Sequence, residues 1–483
     1  MKSLTNLLLK AELSILSDAM LTFPSIHHEL DRDYSRFSSL METRGLPTVT
    51  LDFPALGKHF DKCLSEGTYT KPDLPLSGVV RGSAVIPRLF QGLLLRVFHL
   101  DGMLRTEPCI NAIAFLRQLY AIGKKVRIDC EERRVYETVS DFYTVDRCLP
   151  DPDLSWRRVS EDTIRCVGHD LNMANYRFGG LLGPLLVRRQ QRLGVKLPQP
   201  RKWLQAERRS VLEVVQRVAD ITSCSLGEFN PLDYMPKHGP GAVSDLSGRD
   251  FKYLFRDWPI GLETIFPQAD FAFANYDCWV RSGGLPSSSA PTSKLVCVPK
   301  TQKGPRLIAS EPVAHQWCQQ VLWKYFEKGC QSVPFLNNSV RFRDQRFSQE
   351  LALQASICGS HWTVDLSSAS DRVSTRFVER VFRSNPKLLA ALIAVRTPSI
   401  RQSIDKACPS VYKLRKYTTM GSACTFPVET LCFLVCALSA IAYSRRLPVT
   451  AATLYRISKE VRVFGDDIII PSDSGEVLEL LLR

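Results

Sequence analysis

Two adjacent carboxylates, Asp466 and Asp467, follow Gly465 and lie between the short apolar runs 461–464 and 468–470. This pattern predicts two strands joined by a tight turn. Paired carboxylates at a turn can hold divalent cations, and two such cations clamp the attacking and leaving oxygens in nucleotidyl transfer. A Gly-Asp-Asp tripeptide arises by chance in about one in ten chains of this length, so its interpretation depends on the rest of the sequence.

A second carboxylate cluster lies upstream, in the segment 361–371. A short apolar strand is predicted to end at Asp365, and the Ser-rich turn after it suits a helix that starts near Asp371. Apolar residues recur every four positions beyond this point and predict the buried stripe of that helix: Val373, Phe377 and Val381. The alternative is that both aspartates are helix caps, which suits Asp371 but not Asp365, because Asp365 follows a strand.

A loop of small and hydroxyl-bearing residues, 418–429, leads into the apolar run 431–443. Gly421 lets the backbone approach a ligand closely. The hydroxyls of Ser422 and Thr425 are able to hydrogen-bond a sugar or a phosphate. Taken alone, the segment is interpreted more simply as a loop that begins a helix.

A ribbon of cations without an acid occupies the segment 294–308 and consists of Lys294, Lys300, Lys303 and Arg306. The pattern predicts a strand, a turn at Gly304-Pro305 and a second strand. Cations on such a ribbon suit a triphosphate or its pyrophosphate leaving group. A solvated basic hairpin is the alternative interpretation.

The chain has 483 residues and a formal net charge of +14. Its length allows two or more domains, and its charge favours a polyanionic partner, of which nucleic acid is the simplest. A strongly basic segment, 188–209, is a candidate RNA-binding surface through Arg188, Arg189, Arg201 and Lys202. A solvated helix face followed by a Pro-rich loop explains the same segment equally well.

None of the 15 cysteines forms a Cys-x-x-Cys pair, which argues against a zinc ribbon or a thioredoxin-like site. Their odd number and the lack of a secretory signal favour a reducing cytoplasm. The apolar run 431–443 is shorter than a bilayer requires, so the sequence predicts a buried helix there and no membrane partner.

In chain order, the cation ribbon, the 361–371 segment, the small-residue loop and the Gly-Asp-Asp turn resemble motifs F, A, B and C of RNA-dependent RNA polymerases. The sequence is still more similar to the replicases of single-stranded RNA bacteriophages of the levivirus group. The residues that carry this resemblance are 238–242, 365–371, 420–426, Glu429 and 464–468. Glu429 stands where many other plus-strand RNA polymerases have Asn, and in this the chain follows the phage group.

The resemblance implies an α+β fold with the right-hand architecture of polymerases, in which an antiparallel palm sheet is packed with helices. Three regions are expected: a mostly helical N-terminal and fingers region at 1–225, fingers with the basic ribbon at 226–345, and a palm with motifs A, B and C at 346–483. The chain ends soon after Asp467, so the thumb is expected to be largely missing. The sequence therefore predicts a fragment that is poorly processive or inactive alone.

The resemblance also implies RNA-directed RNA synthesis with two Mg²⁺ ions, for which Mn²⁺ is a substitute. Asp365 and Asp466 would bind the ions, and Asp467 would assist. The incoming nucleotide would meet a larger set, made of Asp371 and the motif B loop at its ribose and of the basic ribbon at its phosphates: Asp371, Gly421, Ser422, Thr425, Lys294, Lys300, Lys303 and Arg306.

The implied partners are an RNA template and product, ribonucleoside triphosphates, the host elongation factors Tu and Ts, and a ribosomal RNA-binding protein, all in the cytoplasm of the bacterial host. Two other functions stay open. One is a reverse transcriptase, against which Gly465 argues. The other is a non-catalytic RNA-binding protein with the same fold, against which the three aspartates argue.

Overall fold

The computed structural model describes residues 2–126, 128–152, 211–239, 241–246, 252, 253, 255, 257–283 and 291–483. Two compact units emerge from the chain, and each has its own hydrophobic core. The first consists of Met1–Thr138 and Cys297–Leu307, and the second of Val139–Val296 and Ile308–Arg483. These units do not divide at residues 225 and 345, so the three functional regions expected from the sequence stay a prediction.

The first unit is mostly helical, and its segment Cys297–Leu307 adds parts of two strands. Its α-helices are Lys2–Thr22, His27–Thr43, Phe53–Glu66, Gln91–Leu94, Ile110–Ala121 and the start of Glu132–Cys148. Helix Phe53–Glu66 shows why they form: Phe53, Leu56, Phe60 and Cys63 recur at helical spacing and are all buried. Gly67 ends this helix in the left-handed conformation, with φ +72°.

One acidic side chain lies inside this helical core. Glu12 is fully buried, and neither carboxyl oxygen has a hydrogen-bond partner among the described residues. Burial raises the pKa of Glu12 to about 9. The folded protein therefore holds this proton more tightly than the unfolded chain does.

We expect Glu12→Gln to stabilise the protein at neutral pH. With a folded pKa above the unfolded value, the stability is fully present below pH 4.5 and is lost as pH rises towards 9. At pH 7 the variant is expected to gain roughly 3 kcal/mol of unfolding free energy, and at pH 4.5 almost none. Urea unfolding at both pH values measures this, with the exposed Asp18→Asn on the same helix as the control; an equal gain at both pH values would contradict it.

The second unit combines helices with short strands. Its α-helices are the end of Glu132–Cys148, then Val211–Ser225, Ile260–Glu263, Gln268–Phe271, Tyr276–Ser282, Val313–Ser332, Pro334–Asn337, Arg346–Cys358, Ala369–Arg372, Thr375–Phe382, Pro386–Ala394, Thr425–Ser444, Ala451–Ile457 and Gly475–Leu482. Helix Thr425–Ser444 runs through the core and packs against Val211–Ser225 and Gly475–Leu482.

The predicted buried helix at 431–443 is confirmed, but it is longer than the apolar run. Among the described helices, Thr425–Ser444 alone has the length and composition that could cross a membrane. Within its most apolar stretch, 94% of the residues are buried inside the fold. Burial, and not the short length expected from the sequence, is therefore what marks it as a core helix.

The strands form two small sheets. One sheet has the order β2-β1-β4-β5, with β1 at Thr292–Thr301, β2 at Gly304–Ser310, β4 at Ser399–Arg401 and β5 at Val411–Lys413. The other has the order β3-β7-β6, with β3 at His361–Val364, β6 at Arg462–Phe464 and β7 at Asp467–Pro471. The second sheet is antiparallel throughout.

The basic ribbon is a hairpin, as predicted, but its turn does not lie at Gly304-Pro305, where the sequence predicts it. Gln302 and Lys303 make the turn, whereas Gly304 and Pro305 already belong to β2. Because β2 is at the edge of its sheet, the missing N–H of Pro305 costs little there.

The helix predicted after Asp371 is also different. The chain forms the short helix Ala369–Arg372, breaks at Val373, and starts again at Thr375–Phe382. Ser374 causes the restart, because its hydroxyl accepts a hydrogen bond from the N–H of Phe377 at 3.1 Å.

Candidate active site

Strand register brings two of the predicted carboxylates to one end of the β3-β7-β6 sheet. Strands β3 and β7 are antiparallel, and Val364 pairs with Ile468. One further step along this register sets Asp365 opposite Asp467, where Cα atoms of facing residues are about 5 Å apart. Asp466 precedes Asp467 in the turn, and all three side chains are exposed.

Helix Thr425–Ser444 holds the turn that contains Asp466 in place through Phe426 and Thr430. Gly465 adopts φ +64°, and a Cβ there would lie 3.0 Å from the ring of Phe426. The N–H of Gly465 donates to the buried hydroxyl of Thr430 at 3.0 Å. The Phe426 ring also packs on Phe464 at 4.9 Å between centroids. The core helix therefore sets the position of the aspartates, and Thr430 is a contributor that the sequence did not reveal.

Negative charge at this end of the sheet is only partly compensated. Burial, Asp466 and then Asp365 raise the pKa of Asp467. Burial, followed by Asp466 and Asp371, raises the pKa of Glu429 to about 8. Gln345 donates a long hydrogen bond of 3.5 Å to Asp467. A bound cation would relieve this repulsion between like charges.

The donor set fits a hard divalent cation that keeps water and phosphate oxygens as its other ligands, which is the habit of Mg²⁺. Asp365, Asp466 and Asp467 are exposed, and in the part of the chain that the structure describes no Lys or Arg forms an ion pair with them. Among the described residues, no three acidic, His or Cys side chains already converge into a finished metal site.

Asp371 is held by a lysine that the sequence analysis missed. The ammonium of Lys416 donates to the Asp371 carboxylate at 3.0 Å, and its side chain is fully buried. The same ammonium lies 3.4 Å from the centre of the Phe142 ring. The backbone N–H groups of Arg415 and Lys416 donate to the buried carboxylate of Asp146. Asp371 is therefore fixed in one position and is 28% exposed.

The loop of small residues at 418–429 is hydrogen-bonded to strand β2. The N–H of Ala309 donates to the carbonyl of Met420 at 2.6 Å. Gly421 has φ +125°, and a Cβ there would lie 2.0 Å from the Ala309 carbonyl oxygen. The residue must be glycine for two reasons, since both its backbone conformation and its close approach exclude a side chain.

We expect Gly421→Ala to lower the unfolding free energy by about 2 kcal/mol and to shift the loop. Gly359→Ala is the matched control, because Gly359 also has positive φ, +65°, but a Cβ there would meet no described atom within 4 Å. The control should cost about 1 kcal/mol. Denaturant unfolding of both variants measures the difference, and equal losses would show that the contact with Ala309 is unimportant.

The hydroxyls of this loop are used unequally. Thr425 is buried; its hydroxyl donates to the Thr419 carbonyl at 2.6 Å and accepts from the Thr419 N–H at 3.1 Å. These two hydrogen bonds close the loop on itself, and the predicted ribose contact of Thr425 stays a prediction. Ser422 is half-buried and accepts from the N–H of Cys424 at 3.3 Å, so its predicted contact stays a prediction.

The cations of the basic ribbon are divided between the two units. All four ribbon cations are exposed; Lys294 belongs to the second unit, whereas Lys300, Lys303 and Arg306 belong to the first. Their contact with a nucleotide stays a prediction. The proposed RNA-binding residues Arg188, Arg189, Arg201 and Lys202 lie outside the described residues.

The segment that carries this site is similar to known proteins. Residues 286–482 match the family model described as RNA replicase, beta-chain. The RNA-directed RNA polymerase beta chain of Enterobacteria phage GA is 30% identical over 184 residues, which are 38% of this chain and 30% of that protein. The RNA-directed RNA polymerase subunit beta of Escherichia virus Qbeta is 32% identical over 191 residues, 38% of this chain and 28% of that protein.

A third relative, the RNA-directed RNA polymerase beta chain of Escherichia phage MS2, is 30% identical over 187 residues, 38% of this chain and 30% of that protein. The match thus spans 28–30% of the length of these three relatives. The segment 286–482 that matches the family model includes β3, β6, β7 and the small-residue loop 418–429, and hence all three aspartates of the candidate site. Over residues 286–482 this chain is therefore similar to the RNA replicase beta chains of RNA phages.

Proposed function

We propose that this chain is an RNA-directed RNA polymerase, which adds ribonucleoside triphosphates to the 3′ end of an RNA strand as an RNA template directs. The observation that supports this most is the register of β3 and β7, which sets Asp365 opposite Asp467 beside Asp466. This arrangement lies within the segment that matches RNA replicase beta chains.

The reaction is an in-line displacement at the α-phosphorus of the incoming nucleotide. The 3′-oxygen of the RNA forms a bond to that phosphorus, the bond to the bridging oxygen of the pyrophosphate breaks, and the hydroxyl proton passes to solvent. Asp365, Asp466 and Asp467 would hold two Mg²⁺ ions, whose chemistry is to acidify the hydroxyl and to neutralise the triphosphate.

The other side chains position the substrates. Asp371, held by Lys416, would orient the incoming ribose, whose 2′-hydroxyl separates RNA from DNA precursors. Gly421 and Ser422 would bring the loop backbone close to the same nucleotide. The exposed cations of the basic ribbon would neutralise its phosphates.

The finer architecture and the partners belong to the same proposal. The two small sheets and their helices would form the palm and fingers of a right-hand polymerase. RNA template, RNA product and ribonucleotides are the expected partners, with the host elongation factors Tu and Ts and a ribosomal RNA-binding protein in the bacterial cytoplasm.

The test is addition of the first nucleotide to a short RNA primer annealed to an RNA template, with Mg²⁺ and the full chain. We expect the ribonucleotide complementary to the template base to be added in preference to its deoxy analogue. A preference for the deoxynucleotide would point to a reverse transcriptase. RNA binding without any addition would point to a non-catalytic protein of the same family.

A further inference from the structure

Two arginines that the proposed reaction does not use lie against one aromatic ring. The ring is near the hairpin of β6 and β7, which contains Asp466 and Asp467 and is called the catalytic hairpin below. The guanidinium carbon of Arg341 is 4.0 Å from the centre of the Phe347 ring, and that of Arg462 is 3.8 Å from it. Arg462 is the first residue of β6, the strand that leads into the Gly-Asp-Asp turn. Gln345, between Arg341 and Phe347 in the chain, donates to Asp467.

Neither arginine has an ion pair with an acid among the described residues. In the segment 341–347, Arg343 is bound to Glu327 and Arg346 to Asp344, at 3.0 Å for the second pair. The charge of Asp344 also acts on Arg341, but the Asp344 carboxylate is hydrogen-bonded to Arg346. Within the described ranges, the guanidinium of Arg462 donates to the carbonyls of Lys459 and Val461, at 2.9 and 2.8 Å.

The positive charges of Arg341 and Arg462 therefore repel each other. Burial and then the charge of Arg341 lower the pKa of Arg462 to about 10. Stacking on Phe347 offsets part of this cost, since an exposed cation–π contact contributes about 0.5–1 kcal/mol. A pair of like charges without acids is an arrangement that a bound polyanion stabilises.

We propose that Arg341 and Arg462 bind the phosphate backbone of an RNA strand beside the catalytic hairpin. In the segment 341–347, Phe342 packs on Trp323 and Phe426, and Phe347 carries the two guanidinium groups. The pair therefore offers an RNA strand cationic contacts to its phosphates rather than a ring for its bases. Arg341 is exposed and Arg462 is half-buried, so Arg341 would make the outer contact and Arg462 the inner one.

The identity of the polyanion as RNA rests on the proposed function, but its test needs no turnover. Binding of a fluorescently labelled single-stranded RNA to the full chain is measured as a function of salt concentration. Arg341→Gln and Arg462→Gln are each expected to weaken binding about 3- to 10-fold at 0.1 M salt and to reduce the salt slope by about 0.7. Arg341→Lys should keep the slope, because it keeps the charge.

Arg281→Gln is the matched control, since Arg281 lies on helix Tyr276–Ser282, is 77% exposed and is paired with Asp277. It removes one positive charge and should leave the slope unchanged. Arg341 is exposed, so its variant tests the proposal even if Arg462→Gln unfolds, which a melting curve of each variant shows.

Three outcomes overturn the proposal. If Arg341→Gln and Arg462→Gln have the same salt slope as the unmodified chain, the two arginines only stack on Phe347 and do not bind RNA. Loss of tripolyphosphate binding with an unchanged RNA slope would assign the pair to a nucleotide triphosphate. An equal loss in Arg281→Gln would show a nonspecific charge effect. If the unmodified chain adds no nucleotide but the arginine variants still reduce the salt slope of RNA binding, the proposed function is wrong and the RNA-binding site stands.

Discussion

Asp466→Asn is expected to lower nucleotide addition by at least about 10³-fold without weakening the fold. The side chain is exposed in the turn, and the amide has nearly the same shape as the carboxylate. The change removes a negative charge and a good oxygen ligand for a divalent cation. Addition of one nucleotide to an RNA primer measures the loss.

Stability gives this prediction a second, independent readout. Asp466 raises the pKa of both Asp467 and Glu429, so without Mg²⁺ the variant should melt at the same temperature as the unmodified chain or slightly higher. Asp270→Asn, at an exposed position in the same unit, is the control and should keep full activity. Retained addition in Asp466→Asn would remove Asp466 from the site.

Lys416→Met is expected to cost both stability and activity. The ammonium of Lys416 is fully buried between Asp371 and the Phe142 ring. Removal of one partner from such a pair leaves the other charge uncompensated, which costs about 3 kcal/mol. Asp371 would also lose its fixed position, and we expect addition to fall about 10²-fold, mainly through a higher KM for the nucleotide.

A double-mutant cycle separates these two effects. Asp371→Asn alone leaves the buried ammonium without its carboxylate and should also destabilise the protein. The double variant with Lys416→Met removes both charges, so it should recover most of the stability but none of the activity. Recovery of activity together with stability would show that the pair is structural and does not position a substrate.

The strands of the site could be predicted from the sequence, because their pattern is local. The apolar runs on either side of Gly465 and the one before Asp365 are short strands, as predicted. The order of the motifs also indicated the family whose model residues 286–482 match. Once these strands pair in antiparallel register, the positions of Asp365 and Asp467 follow.

Features that depend on distant packing could not be predicted. Lys413, Arg415 and Lys416 look alike in the sequence, and only the approach of Phe142 from a distant helix makes Lys416 the buried one. The periodicity at 373–381 predicted one helix, whereas the N-cap of Ser374 divides it. Gly304-Pro305 is a favourable turn dipeptide, but the pairing of β1 with β2 places the turn earlier.

Addition of the first nucleotide, with the template base varied, is the decisive measurement for template-directed synthesis by this chain. We expect the full chain with Mg²⁺ to add the complementary ribonucleotide for each of the four template bases. We also expect Asp365→Asn and Asp466→Asn to lose this addition while they still bind RNA. Addition that persists in both variants, or that ignores the template base, would show that these carboxylates do not direct RNA synthesis.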